Sequence, residues 1–172
     1  VLGDQGSYYP GLGPATRAAF LPVARLATIL APNWTELGLL AGQEWKNEPA
    51  EAAMVAAGER LRGQGITAPL VVTDVHRDGQ VGCLVLTAGT ARFTGGPGYQ
   101  GHFTGAGDAF ASLLLAELVR GRPFLGAVHR AQDLLTRAIA ATARLDPAER
   151  RDGLVLQPLL RELTREEITD EH

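Results

Sequence analysis

Gly105, Ala106, Gly107 and Asp108 form the stretch whose residue types and spacing most plainly suit chemistry. Glycines lack a Cβ, so the backbone turns sharply and successive amide N–H groups converge on one point. The run Ala109–Val119 is apolar apart from Ser112 and Glu117, and it predicts a buried helix. The turn then lies at a helix N-terminus, where unpaired N–H groups and the positive end of the helix dipole hold anions. Asp108 inside such a turn is placed to accept a proton while the amides hold a phosphoryl oxygen. The same residues also read as a tight turn with an acidic first-turn residue. No Lys-Ser/Thr follows the glycines, which excludes the Walker pattern, and no second glycine pair completes a dinucleotide fingerprint.

Three other polar stretches stand beside this one. Asp4, flanked by Gly3 and Gly6, reads as a loop carboxylate, either ligating or simply solvated. Asn33 is an N-cap for Trp34–Leu40, and Glu36 falls three residues on, as a capping box requires. A capping role and a metal role for Glu36 therefore both stay open. Thr73 and Asp74 close an apolar run that begins at Ala68. Together with Thr104–Asp108, each of these loops follows or ends a predicted strand.

The elements that must position them alternate in type. Pro14–Leu26 is helical in pattern, with Pro22 expected to bend or end its regular part. Leu26–Ala31 predicts a short strand stopped by Pro32. Glu48–Arg62 predicts a surface helix burying Ala52, Val55, Ala56 and Leu61. Ala68–Val75 reads as a buried strand, and Val81–Leu86 as its hairpin partner across the Arg77–Gln80 turn. Thr87–Phe93 adds an extended segment, and Gly95–Gly101 leads into the glycine turn. Leu125–Arg144 predicts a long helix with Ala127, Val128, Leu134, Leu135, Ile139 and Ala140 on one stripe. Leu154–Leu163 is a last short element, and Glu166–His172 an acidic, frayed end. The expectation is an α/β fold, a mainly parallel sheet flanked by helices, with ligand loops beyond the carboxyl ends of its strands.

Composition bounds the rest. The 172 residues suit one domain; 45% hydrophobic content supplies a core, and 20% charged residues argues against disorder. With a net charge of −3 and no basic run longer than two residues, neither nucleic acid nor a membrane surface is an expected partner. Cys83 is the single cysteine and lies in an apolar run, so it reads as a small buried hydrophobe. The four histidines are scattered and give no zinc spacing. A cytoplasmic location is the expectation. The chain begins Val-Leu-Gly-Asp without methionine and reads as the later part of a longer protein.

The longer string Thr104-Gly105-Ala106-Gly107-Asp108-Ala109-Phe110 resembles the signature of the ribokinase-like small-molecule kinases. Within that superfamily the chain is similar to the pyridoxal kinases along nearly all of its length. Val1–Asp4 resembles the end of the family's Asp-Pro-Val-x-Gly-Asp segment, and Ser7–Pro10 the tyrosine-containing stretch after it, which puts Tyr9 on the substrate side. Ala31–Glu36 resembles Thr-Pro-Asn-x-x-Glu, and Val71–Thr73 the strand whose threonine meets nucleotide phosphate. Leu160–Glu167 resembles the C-terminal element of the animal enzymes.

The resemblance implies ATP and Mg2+ as cofactors, with Asp4 and Glu36 near the magnesium, directly or through water. It implies Asn33 and Thr73 at the triphosphate and Phe103 and Thr104 beside the nucleotide. Asp108 is the implied base, and the amides of Gly105, Ala106 and Gly107 the implied anion hole. Asp74 stands where the animal enzymes carry serine and adds charge close to the phosphates. Ala31 replaces the motif threonine, which removes a hydroxyl from an expected monovalent-cation contact; Ala106 replaces a threonine whose backbone alone is needed. The family's first half, with most pyridoxal contacts and the flap, has no counterpart in this sequence. The full-length form is expected to be a homodimer.

The implied activity is ATP-dependent phosphorylation of the hydroxymethyl group of pyridoxal or a related vitamin B6 vitamer. A hydroxymethylpyrimidine or sugar kinase would share the same turn. A non-catalytic piece that keeps only the nucleotide-binding, C-terminal half is the reading of a different class.

Overall fold

The computed structural model describes residues 2–146 and 148–169. Val1, Pro147 and the last part of the acidic tail, residues 170–172, lie outside the described residues. The chain divides into two compact units, Val1–His76 with Gly82–Thr94, and Arg77–Val81 with Gly95–His172.

The first unit opens with a tight hairpin of β1 (Gly3–Asp4) and β2 (Ser7–Tyr8), in which Gly3 faces Tyr8 and Asp4 faces Ser7. Gln5 and Gly6 both adopt positive φ, 49° and 76°, as a two-residue turn with the twist of its strands demands. Gly3 is required for a different reason: a Cβ there would collide with the Ser7 carbonyl. Helix α1 (Pro14–Leu26) runs through Pro22 rather than ending at it. Pro22 and Ala18 are both exposed, so the carbonyl that the proline leaves without a donor is solvated.

No strand forms at Leu26–Ala31. Only single parallel bridges join Leu30 to Leu70 and Asn33 to Thr73. Pro32 lacks the N–H that would extend the ladder, although its carbonyl accepts the Thr73 amide at 2.9 Å. After α2 (Trp34–Ala41), helix α3 spans Glu51–Gly63 and starts late because Pro49 keeps Glu48 out of helical geometry. Its buried residues are Met54, Ala57, Gly58 and Leu61, so the face is rotated from the expected one and Ala52 and Ala56 are exposed. Gly58 explains the rotation. A Cβ there would stand 3.1 Å from a Leu86 methyl, tighter than ordinary contact, so glycine suits the close approach of the helix to the sheet.

Strands β3 (Leu70–Arg77), β4 (Gln80–Thr87) and β5 (Thr90–Pro97) form a three-stranded sheet in that order. The described sheets are small and antiparallel, which corrects the expectation of a mainly parallel sheet. Two-residue connections, Asp78-Gly79 and Ala88-Gly89, allow nothing else, because parallel neighbours need a long crossover. Such a crossover, through α2 and α3, is found only between the Leu30–Asn33 segment and β3. Leu70, Val72, Leu84 and Leu86 enter the first unit's core with Leu37, Leu39, Met54, Ala57 and Leu61. Cys83 is buried as expected, and burial pushes its thiol pKa up.

The second unit is built on α4 (Ala106–Val119) and α5 (Phe124–Thr142), followed by a 3-10 turn at Glu149–Asp152 and α6 (Gln157–Thr169). Helix α4 is not buried all round. Phe110, Leu113, Leu114 and Glu117 are covered, whereas Leu115 and Val119 are 63% and 79% exposed. Glu117, fully buried, takes an ion pair from Arg122 and another from Arg120, which ties the α4–α5 turn. On α5, Ala127, Val128, Leu134 and Leu135 are buried as predicted, while Ile139 and Ala140 are half-buried and Ala131 and Ala138 complete the stripe. Helix α6 continues to Thr169, past the point at which the acidic tail was expected to fray.

Candidate functional site

In the first unit the expected polar loops meet at the start of α2. The Asn33 side chain accepts the Glu36 amide at 2.8 Å, and Glu36 Oε2 accepts the Asn33 amide at 3.1 Å, completing the capping box. Glu36 goes further, because its Oε1 accepts the Leu2 amide at 2.6 Å across 34 residues. The Asn33 Nδ2 group donates to the Gly3 carbonyl at 3.1 Å, and the Gly6 amide donates to Thr35 Oγ1 at 3.0 Å. The hairpin that carries Asp4 is thereby fastened to the helix that carries Glu36. Thr73 joins the same corner through its bridge to Asn33.

Asp74 interrupts the in–out alternation of β3 without ending the strand. Its φ of 61° is left-handed, and Val72 and Val75, three residues apart, consequently enter the same core. Regular alternation would have pointed the Asp74 carboxylate inward. The Trp34 side chain acts on Asp74 in the direction that favours its ionised form. Partial burial raises the Asp74 pKa above the ordinary carboxylate value of 3.8. His76 opposes that rise, and the charges of Asp4 and Glu48 add to it. Glu48 in turn accepts both the His76 amide and its Nδ1, each at 2.7 Å.

Whether this corner suits magnesium follows from its donors. Among the described residues no group of three or more His, Cys, Asp or Glu side chains could hold a metal ion. Magnesium ordinarily needs only one or two carboxylates, the rest of its shell being water and phosphate. Asp4 is one such carboxylate, and its charge acts on Asp74, which adds negative charge to the same corner. Glu36 differs, since each of its oxygens already accepts a backbone amide. Tyr9 is exposed, with its amide on the Leu2 carbonyl at 3.1 Å.

The glycine turn belongs to the second unit. Gly105 sits at φ 84° immediately before α4, and no side chain caps that helix. The Ala106 amide donates to the Phe103 carbonyl at 3.2 Å, and the first regular helical bond runs from the Ala109 amide to the Gly105 carbonyl at 2.9 Å. The amides of Gly107 and Asp108 therefore have no acceptor among the described residues. Gly105, Gly107 and Asp108 are exposed, and a Cβ on either glycine would meet nothing within 4 Å. Phe103 is half-buried and Thr104 exposed beside them. Free amides and an exposed carboxylate at one helix start can bind an oxyanion and take up a proton.

The family model for phosphomethylpyrimidine kinase matches residues 14–151, which take in Asn33 through Asp108. The chain belongs to the pyridoxal kinase/phosphomethylpyrimidine kinase family. Pyridoxal kinase PdxY of Rubrobacter xylanophilus is 33% identical over 129 residues, which are 71% of this chain and 42% of that protein. The crystal structure of pyridoxal kinase from Lactobacillus plantarum superposes with a TM-score of 0.83 at 33% identity, covering 100% of this chain and 61% of that one. Pyridoxal kinase from Leishmania donovani in complex with ADP and pyridoxine gives a TM-score of 0.73 at 25% identity, over 91% of this chain and 53% of that one. The chain thus spans about half the length of these family members. Asp4 and Tyr9 precede the stretch matched by the family model. Sequence reasoning missed Asp74's left-handed backbone, which a continuous apolar run conceals, and the second role of Glu36, which depends on a partner 34 residues away.

Proposed function

We propose that the chain is the nucleotide-binding part of a ribokinase-like kinase that phosphorylates the hydroxymethyl group of pyridoxal or a related B6 vitamer with ATP. The uncapped start of α4 carries the reading: the Gly107 and Asp108 amides are unused, and the Asp108 carboxylate stands beside them. Phosphoryl transfer depends mainly on positioning and on stabilising charge spread over the equatorial oxygens. The free amides would hold those oxygens, and losing one such donor typically costs about 10²–10³ in rate. Asp108 would accept the alcohol proton, late, as the new bond to phosphorus makes the alcohol acidic. Asn33 and Thr73 would meet the nucleotide phosphates, and Phe103 and Thr104 its remaining part. Asp4 and Glu36 would stand near the magnesium, directly or through water, with Asp74 adding charge close to the phosphates, and Glu36 also fixes the loop that carries Asp4. Magnesium, when bound, would neutralise phosphate charge.

Hydroxymethylpyrimidine is the second candidate acceptor, favoured by the description of the matching family model. The pyridoxal kinases among the relatives favour the first. Calorimetric titration of the 172-residue chain with Mg-ATP tests the nucleotide site, and binding is expected. Phosphorylation assays on the longest natural form of the protein, with pyridoxal and hydroxymethylpyrimidine in parallel, test the acceptor. Failure to bind Mg-ATP would remove the kinase reading; preference for the pyrimidine would replace the vitamer.

A further inference from the structure

Arg150 lies in the 3-10 turn between α5 and α6 and uses all three guanidinium nitrogens on backbone carbonyls. Nε donates to Leu145 at 2.9 Å and Nη2 to Ala143 at 2.6 Å, closing the C-terminal end of α5. Nη1 reaches across 50 residues to the Gln100 carbonyl at 3.3 Å. No described carboxylate pairs with it, so an ion pair is not what holds it there. Gly101 makes the approach possible: at φ 127° its missing Cβ would stand 3.3 Å from the same nitrogen. A second pin secures the segment from beneath, because buried Thr142 accepts the Val155 amide at 2.9 Å and donates to the Ala138 carbonyl at 2.8 Å.

The tie matters because of where Gln100 lies. The Gly98 amide is bonded to the Gly79 carbonyl, and the Phe103 carbonyl takes the Ala106 amide. Between them, among the described residues, the Arg150 bond is the only hydrogen bond to residues 99–102. Those residues lead directly into Thr104 and Gly105 and belong to no strand or helix. We propose that Arg150 is a positioning residue for the phosphate-binding turn: by anchoring Gln100 it holds the approach that sets the Gly107 and Asp108 amides. Arginine suits the task, since its planar fork reaches several carbonyls at fixed angles and a lysine ammonium does not. The proposal rests on the phosphoryl-transfer reading of that turn.

Backbone 15N relaxation of the 172-residue chain, with Mg-ATP titration and thermal unfolding, tests it in wild type, Arg150→Met and Arg150→Lys. In Arg150→Met, order parameters over residues 99–105 should fall from about 0.85 to below about 0.6. The dissociation constant for Mg-ATP should rise about tenfold, because small misplacements at such sites are costly. Residues 131–138 of α5 and the amides of the first unit should keep their wild-type order. Arg150→Lys should loosen the same residues less. Unchanged order over 99–105 in both variants overturns the proposal, and so does loosening spread evenly over α4, α5 and α6. Should Arg150→Met fail to fold, the Lys variant decides by the same two criteria. A wild-type chain that binds no Mg-ATP would remove the kinase reading, while the relaxation comparison without nucleotide would still decide what Arg150 holds.

Discussion

The Asn33–Glu36 corner and the Gly105–Asp108 turn both begin a helix, one buried and capped by side chains, the other exposed and uncapped. At α2 the Asn33 side chain and the Glu36 carboxylate close the helix start, and the carboxylate also takes the Leu2 amide. At α4 no side chain does this, and the amides of Gly107 and Asp108 have no acceptor among the described residues, beside an exposed carboxylate. Unused amides at a helix start cost stability unless water or a ligand meets them. Their persistence in the second region argues for a ligand there. In the first region both Glu36 oxygens accept backbone amides, one of them 34 residues away, which gives Glu36 a structural role.

The comparison breaks most readily at Asp108. In an active form of the protein, this chain or a longer one that contains it, Asp108→Asn should lower phosphotransfer by about 10²–10⁴. Mg-ATP affinity should barely change, because only the proton acceptor is lost and the amides remain. Near-normal turnover would remove the catalytic assignment and leave the turn as a binding feature.

Glu36→Gln probes the other side. On the cap alone, glutamine looks harmless. The structure shows two backbone donors aimed at two carboxylate oxygens, and glutamine offers only one acceptor and a repelling NH2 group. Unfolding free energy should therefore fall by about 1–3 kcal/mol, read by urea denaturation. If stability holds and only the magnesium requirement rises, Glu36 is a metal residue first and the contrast between the two regions fails.

What could be read from the sequence followed the range of the interactions. The Asn33/Glu36 box is a local pattern and formed as read, and the glycine turn stands at a helix start, although α4 begins at Ala106 rather than Ala109. The strand expected at Leu26–Ala31 depended on partners, and Pro32 limited it to isolated bridges. The face of α3 was misjudged because hydrophobicity ranks Gly58 low, whereas its smallness is what brings the helix onto Leu86. The parallel sheet was expected from alternating helices and strands, but the short turns after β3 and β4 decided the pairing. Arg150 left no local trace, because its three acceptors lie 5, 7 and 50 residues away.

The smallest expected effect sharpens the comparison inside the first region, where Asp74 is a polar residue with left-handed backbone and a raised pKa. Its pKa is raised above 3.8, first by partial burial. The folded chain therefore binds this proton more tightly than the unfolded chain does. Stability from Asp74 is complete below about pH 3.8 and is lost as pH rises through the elevated folded value. Asp74→Asn keeps a side chain of the same size that tolerates the left-handed backbone, and it removes the charge. The variant should melt slightly higher than wild type at neutral pH, and the difference should shrink to nothing as pH falls below 4. A variant less stable than wild type at neutral pH would show that the ionised carboxylate is held favourably. Asp74 would then belong with the saturated contacts of Asn33 and Glu36. If Mg-ATP binding weakens in Asp74→Asn while stability rises, the strain has a use, and the first region too keeps a carboxylate in reserve for magnesium.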